Sequence, residues 1–344
     1  MAKIQDIFLK NPKTKQEWQS FLRERGIENF AKGELAGLTQ TIGIYEADEL
    51  VATGSLASNV IKYVASSQKD GRSASYFNSI ISRLEQDLIK AGHTHYFVFT
   101  KEAYRQSFQH VGFKELAHSD FGAILEKGHP DINDYLHDFP AGDPQLSNAA
   151  IVMNANPFTL GHRYLVEKAA QENDWVYVFV LSEDKSLFTA SERMYLVKAG
   201  LSHLKNVIIL PTSDYLVSYT TFPAYFIQDD SLITSYQTQL DARLFKRWLV
   251  PYFAITRRYL GQEPFSQTTA LYNQMLQKEL APEIEVVILE RKKTKHDVIS
   301  ATEVRKKIAA QDLTHLDQLV PPTSYAFIEE HLLELHHKMK EGKK

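Results

Sequence analysis

Apolar and polar positions alternate in two different ways along the chain, and the change falls near residue 127. In the second half, short apolar runs read as strands at 149–154, 175–181, 207–210, 258–260 and 285–289. Between them, apolar positions recur at helical spacing over 162–172, 191–201, 240–253, 268–280 and 302–310. Thr189-Ala190-Ser191-Glu192 has the spacing of a capping box before the second helix. Strand–helix alternation of this kind predicts a mostly parallel, Rossmann-like sheet, with its ligand at the C-terminal strand edge. Residues 323–340 read as an amphipathic closing helix.

The first 126 residues follow another pattern. Strand-like runs at 40–45 and 50–57 flank a polar turn at 46–49, and a third follows at 60–66. A loop at 67–72, a helix at 73–91, a strand at 96–100 and a helix at 103–110 come next. Antiparallel strands with interleaved helices predict an α+β domain. Residues 127–148 carry three prolines and two glycines with little periodicity, and read as a linker. The expected organisation is therefore a domain over 1–126, a linker over 127–148 and an α/β domain over 149–344.

Composition narrows the function classes. With 344 residues, 44% hydrophobic and 24% charged, the chain suits two globular domains. A net charge of −3 provides no global basic field for nucleic acid. No apolar run approaches a membrane span and the N-terminus lacks a secretory pattern, so a cytoplasmic location and no membrane partner are expected. There is no cysteine. Any thioester chemistry must therefore use a thiol from a partner or a cofactor. His93-Thr94-His95 and His336-His337 lack a companion carboxylate at ligand spacing, and no protein-held metal is expected.

The candidate chemistry gathers at two turns. Asn154-Ala155-Asn156-Pro157-Phe158-Thr159-Leu160-Gly161-His162-Arg163 follows the first strand of the α/β half and opens its first helix. Unpaired N–H groups at a helix start, together with the helix dipole, favour an anion. Gly161 permits close approach to the backbone and His162 adds a side-chain donor. About 140 residues later, Ile299-Ser300-Ala301-Thr302-Glu303-Val304-Arg305 opens the last of the β/α helices, after a basic stretch at Arg291-Lys292-Lys293. Ser300 and Thr302 suit the cap region, and Arg305 carries the planar donor that matches phosphate oxygens. Each motif alone is a common helix start. The argument lies in their conjunction on the first and last turns of one sheet, where they predict a single cationic pocket for a triphosphate.

The first motif resembles the (T/H)xGH signature of the nucleotidyltransferase superfamily, and the second its ISSTxxR motif with Ala301 in place of the middle serine. That resemblance implies attack on the α-phosphate of ATP with release of pyrophosphate. It implies His162, Lys185 and Arg305 as catalytic groups. Nucleotide contacts are implied from Asn154, Asn156, Thr159, Gly161, His162, Gly261, Glu263, Ser300, Thr302 and Arg305. Mg²⁺ is expected to accompany the ATP. Asn154 stands where the family often has Ser or Thr, at a place that touches both nucleophile and α-phosphate.

The first half resembles the GNAT acetyltransferase fold. Gln68-Lys69-Asp70-Gly71-Arg72-Ser73 before a long helix approximates its pyrophosphate loop, with Ser73 in place of the last Gly/Ala. This implies a CoA-like arm bound by Gln68, Gly71, Arg72 and Ser73. The two halves together, through TLGH, EDKSLF…SERMYLVKAG, GQEPFS…LYNQM and ISATEVR, resemble the [citrate (pro-3S)-lyase] ligase family. Membership implies that ATP and acetate give acetyl adenylate, and that the acetyl group passes to a phosphoribosyl-dephospho-CoA thiol on the lyase's acyl carrier subunit. Three alternatives remain at this stage. They are an adenylyltransferase acting on a phosphopantetheine- or NMN-type precursor, an amine acetyltransferase with a nucleotide-sensing second half, and a non-catalytic binding protein.

Overall fold

The computed structural model describes residues 3–69, 71–184, 186–216, 222–262, 267–291 and 299–343. The chain forms two compact units: Met1–Asp138 with Thr221–Leu244, and Phe139–Thr220 with Phe245–Lys344. Among the described residues, no helix is long and apolar enough to cross a membrane.

The first unit is built on strands β1 (Lys3–Asp6), β2 (Gln40–Glu46), β3 (Glu49–Ala57), β4 (Val60–Ser66), β5 (His95–Thr100), β6 (Lys114–His118) and β7 (Ala123–Gly128). Their order is β1-β2-β3-β4-β5-β7-β6. β2 and β3 form a tight hairpin in which Glu46 faces Glu49. Its two turn residues, Ala47 and Asp48, both have positive φ, the conformation a two-residue hairpin demands. Helix α1 (Pro12–Arg23) is capped by Asn11 and buries Trp18, Phe21 and Leu22. A short α2 spans Lys32–Ala36. Helix α3 (Ser73–Lys90) buries Tyr76, Ile80, Ile81, Leu84 and Leu88, one stripe at helical spacing, against β2, β3 and β4. Gly54 on β3 is where Ile80 and Leu84 press closest. A short α4 (Arg105–His110) precedes β6. This mixed sheet with a long helix after its fourth strand is the GNAT-like arrangement expected of the first half.

β4 and β5 run parallel, but they pair only at Val60–Phe97 and Ile61–Val98 before parting. The Tyr225 side chain bridges the gap. The Tyr225 hydroxyl donates to the Phe99 carbonyl at 2.5 Å, and its ring lies 4.4 Å from that of Tyr63. Asn29 donates from its side chain to the carbonyls of Ala224 and Ile227, and Ala224 N–H donates to Glu34 at 2.9 Å. Phe226 lies where a Cβ on Gly122 would have to go.

Residues 127–148 are not the linker that their prolines and glycines suggested. Lys127 and Gly128 end β7, and Ile132–His137 forms helix α5, with a capping box between Asp131 and Asp134. Gly128 (φ +103) ends a strand and Asp131 starts a helix, so here the breaker residues punctuate ordered elements. Residues 222–244 also belong to the first unit, although they follow the third strand of the α/β half.

The second unit carries strands β8 (Asn148–Met153), β9 (Trp175–Val180), β10 (Val207–Pro211), β11 (Ile255–Gly261) and β12 (Glu285–Leu289). All pair in parallel, in the order β10-β9-β8-β11-β12. The helices are α6 (Leu160–Glu172), α7 (Ala190–Gly200), α9 (Val250–Phe253), α10 (Gln267–Leu280) and α11 (Ala301–Ala310). The helix expected at 240–253 is three pieces: the end of α8 (Asp230–Leu244), a π-helical turn at Phe245–Leu249, and α9. The closing helix is two, α12 (Pro322–Glu330) and α13 (Leu332–Lys340), hinged at His331. Ala149, Ile151 and Met153 of β8 pack in one core with Val166, Leu196, Val304 and Ile328. Tyr177 and Phe179 meet Phe253, and Phe179 also meets Phe245. Burial on both faces explains why these strands read as unbroken apolar runs. The chain reverses strand order between β8 and β11, and the crevice beyond their C-terminal ends is where such sheets bind ligands.

Candidate active site

β8 delivers the chain to Asn154, and α6 begins six residues later. Thr159 is its N-cap. The Thr159 hydroxyl accepts from His162 N–H at 3.3 Å, and His162 Nδ1 accepts from Thr159 N–H at 3.1 Å. Because Nδ1 is an acceptor here, the proton of the neutral ring is on Nε2, which becomes a donor. The ring lies near-parallel to Phe158, which is fully buried. Burial, followed by the neighbouring guanidinium groups of Arg291 and Arg305, pushes the His162 pKa down to about 4. His162 is thus a neutral dipolar donor in the free protein.

The last β/α turn closes on the first. Arg305 in α11 donates to the Asn156 carbonyl at 2.6 Å, across 149 residues of sequence, and to the Thr302 hydroxyl at 3.2 Å. A Cβ built on Gly161 would lie 3.4 Å from the Ile299 carbonyl oxygen. Ser300 caps α11 by accepting from Glu303 N–H at 3.1 Å. Of the first-turn N–H groups of α6, that of Leu160 donates to the Leu319 carbonyl. With His162 N–H also engaged, the N–H of Gly161 has no partner among the described residues. Two helix N-termini, one neutral imidazole and one guanidinium are therefore brought side by side.

The other site candidates divide. Asn154 is exposed, and its Nδ2 donates to the Ser186 hydroxyl at 3.1 Å. Asn156 is buried, and its Oδ1 accepts from Phe188 N–H, so its side chain ties the loop after β9 to the loop after β8. Gly261 ends β11, and its carbonyl accepts from Asn273. An added Cβ there would meet no described atom within 4 Å, so nothing around it requires a glycine. Lys185 and Glu263 lie outside the described residues. Two residues had no role assigned from sequence. Arg291 donates to the Gln262 carbonyl at 2.7 Å and adds charge near His162; the basic run after the fifth strand was its only sequence signal. Arg193 is fully buried beneath Asn154, where it bonds the Asn154 carbonyl and side chain. Within SERMYLVKAG it reads as an ordinary solvated helix residue.

In the first unit, Gln68 is exposed and Gly71 has φ +72. Arg72 pairs with Glu46 and lies over Tyr76, and the Ser73 hydroxyl bonds that of Ser66 at 2.8 Å. These four residues form the turn into α3. The tempting histidines do have carboxylate neighbours, contrary to expectation. His95 Nε2 lies 2.9 Å from Glu126, and His337 Nδ1 lies 3.6 Å from Glu341. Glu126 is distant from His95 in sequence, where local spacing carries no signal, whereas Glu341 follows His337 by one helical turn, a spacing the sequence does display. Among the described residues, no group of three or more His, Cys, Asp or Glu side chains could hold a metal ion.

A parallel sheet whose first and last β/α turns join a capped Thr-x-Gly-His helix to a Ser/Thr-capped helix bearing Arg305 defines a nucleotidyltransferase-type domain. Comparison with known proteins narrows the class. The family described as "Citrate lyase ligase C-terminal domain" matches residues 148–328. The [Citrate [pro-3S]-lyase] ligase of Escherichia coli (strain K12) is 34% identical over 301 residues, covering 85% of each chain. That of Klebsiella pneumoniae is 34% identical over 330 residues, covering 93% of this chain and 94% of the relative. The chain belongs to the citrate lyase ligase family. A more distant relative, the phosphopantetheine adenylyltransferase of Corynebacterium efficiens, is 32% identical over 113 residues, covering 32% of this chain and 66% of its own.

Proposed function

We propose that this chain is an ATP-dependent acid–thiol ligase that activates acetate as acetyl adenylate and acetylates the prosthetic-group thiol of the citrate lyase acyl carrier, in the cytoplasm. The observation that supports the adenylation half is the bond from Arg305 to the Asn156 carbonyl, which joins the two turns proposed to bind phosphate.

In the first step, a carboxylate oxygen attacks the α-phosphorus of ATP, the bond from that phosphorus to the bridging oxygen of the β-phosphate breaks, and pyrophosphate leaves. A carboxylate is already ionised at pH 7, so no general base is needed. Catalysis then consists of in-line placement and stabilisation of the leaving charge. Arg305, with Arg291 nearby, supplies fixed positive charge. The α6 and α11 N-termini supply dipoles, and His162 Nε2–H supplies a hydrogen bond. Lys185 is proposed to add a further cation. Thr159 and Ser300 hold the two helix starts, Thr302 steadies Arg305, and Gly261 and Glu263 border the adenosine side. Mg²⁺ belongs to this proposal as the counter-ion of ATP, held by phosphate oxygens and water.

In the second step, the carrier's thiolate attacks the acetyl carbon, the acyl C–O bond breaks and AMP departs; the thiol proton goes to solvent. The absence of cysteine requires that thiol to come from the partner. Gln68, Gly71, Arg72 and Ser73 are proposed to receive the CoA-like arm at the N-terminus of α3.

The test is ATP–pyrophosphate exchange. Exchange that depends on acetate supports the ligase. Exchange that depends on a phosphomonoester such as phosphopantetheine overturns it in favour of the adenylyltransferase reading. Acetyl-CoA turnover without ATP overturns it in favour of an acetyltransferase.

A further inference from the structure

Arg193 presents an energetic puzzle. It lies in α7 with no exposed surface, and burial lowers its pKa. A charge removed from water costs several kcal/mol unless every donor finds a partner. Here all the hydrogen-bonding partners in the described residues are carbonyl groups. Nε donates to Phe188 O at 3.1 Å, and one terminal nitrogen to Leu181 O at 2.6 Å, Asn154 O at 3.0 Å and Asn154 Oδ1 at 2.7 Å. The other donates to Glu183 O at 2.5 Å. These acceptors come from the loops after β8 and β9, the two loops that border the crevice. An apolar side chain would fill the same volume at lower cost. What it would not supply is a set of rigid donors that tie two loops together.

The contact with Asn154 Oδ1 has a chemical consequence. A guanidinium has donors and no acceptor, so the atom of Asn154 facing it must be the oxygen. The amide nitrogen then donates to the Ser186 hydroxyl at 3.1 Å, a hydroxyl that also lies 3.4 Å from Oδ1, on an exposed residue at the end of the central strand. We propose that Arg193 is a positioning residue for adenylation: it locks Asn154 in the orientation that presents Nδ2–H to the attacking carboxylate and the α-phosphate. Arg193 does not touch the substrate and acts through Asn154. This rests on the adenylation reading above.

The experiment is a double-mutant cycle on the full-length protein, read by acetate-dependent ATP–pyrophosphate exchange and by thermal melting. Wild type is measured first. If it exchanges with neither acetate nor a phosphomonoester, the functional reading falls before Arg193 is tested. With wild-type exchange established, Arg193→Lys is expected to lower kcat by about ten- to a hundredfold, with KM for ATP within about threefold. Asn154→Ala is expected to lose a similar factor. In the Asn154→Ala background, adding Arg193→Lys is expected to cost no more than about twofold further, because the path it acts through is already gone. Fully additive losses, or a lowered melting temperature with wild-type kcat per folded site, would overturn the proposal. If Arg193→Lys does not fold, Asn154→Asp carries the test, since it keeps an acceptor for Arg193 and removes the amide donor. A melting temperature at or above wild type with kcat reduced as in Asn154→Ala supports the proposal; wild-type kcat overturns it.

Discussion

His162 combines a motif that sequence makes plain with a property that sequence hides. Thr159-Leu160-Gly161-His162 marks a capped helix start, but the tautomer and charge of the ring follow from bonds and burial. Its pKa is pushed from 6.5 to about 4, so the unfolded chain takes up a proton that the folded one refuses. The contribution to stability is intact above pH 6.5 and is lost as pH falls through that value toward 4. His162→Gln is therefore expected to flatten the fall in melting temperature between pH 6.5 and 4. An unchanged slope would mean the ring is not held neutral. Arg305→Ala is expected to slow pyrophosphate exchange by about 10²–10³-fold, through loss of charge stabilisation at the leaving group. Gly161 has helical backbone, and a methyl there would stand 3.4–3.6 Å from Ile299 and Thr159, ordinary contact distances. No conformational rule requires glycine. Gly161→Ala should leave the melting temperature unchanged or higher while raising KM for ATP at least about tenfold, because the added methyl intrudes on the ligand and not on the protein. Loss of stability would assign Gly161 a packing role.

At the scale of elements, the α/β half was largely legible because its central strands are buried on both faces and its helices carry one apolar stripe. Five of five expected strands and the five helices between 160 and 310 are present, with edges displaced by a few residues. The exception is the piece over 240–253, where the π-helical turn and the left-handed Ala254 follow no pattern period. In the first half, β1, α1, β6 and β7 were not read: β1 and β6 are edge strands and α1 is a half-exposed helix, all of which alternate weakly, and β7, an interior strand, runs across the boundary expected at residue 127. What remained invisible was how one element fixes another. Gly200, the last residue of α7, shows this. A Cβ there would lie 2.5 Å from the ring of Phe158, the buried residue stacked beneath His162. Gly200→Ala is expected to destabilise the second unit by about 1–3 kcal/mol through overpacking. It should also lower exchange activity, since the displaced ring carries His162 with it. Melting and exchange measured on the same sample separate these effects; a wild-type melt would show that Phe158 has room to move.

For the whole molecule, sequence order misled. A break in composition at 127–148 suggested two consecutive domains, yet residues 222–244 supply part of the first unit. Nothing local announces that Phe222, Tyr225 and Phe226 pack with Phe99, Tyr63 and Gly122; only tertiary contact does. A fragment of residues 1–138 should therefore give a broad, uncooperative melt and bind a hydrophobic dye. Appending 222–244 through a flexible linker should restore a cooperative transition. A sharp melt from 1–138 alone would show that the later segment merely decorates a finished core.

The interleaving of the chain also sets a schedule for its birth. At a synthesis rate of about 5–20 residues per second, the roughly one hundred residues between 138 and 244 take on the order of 5–20 seconds to emerge. During that interval the nascent N-terminal sheet is exposed with its seam open, waiting for a tyrosine that the ribosome has not yet made.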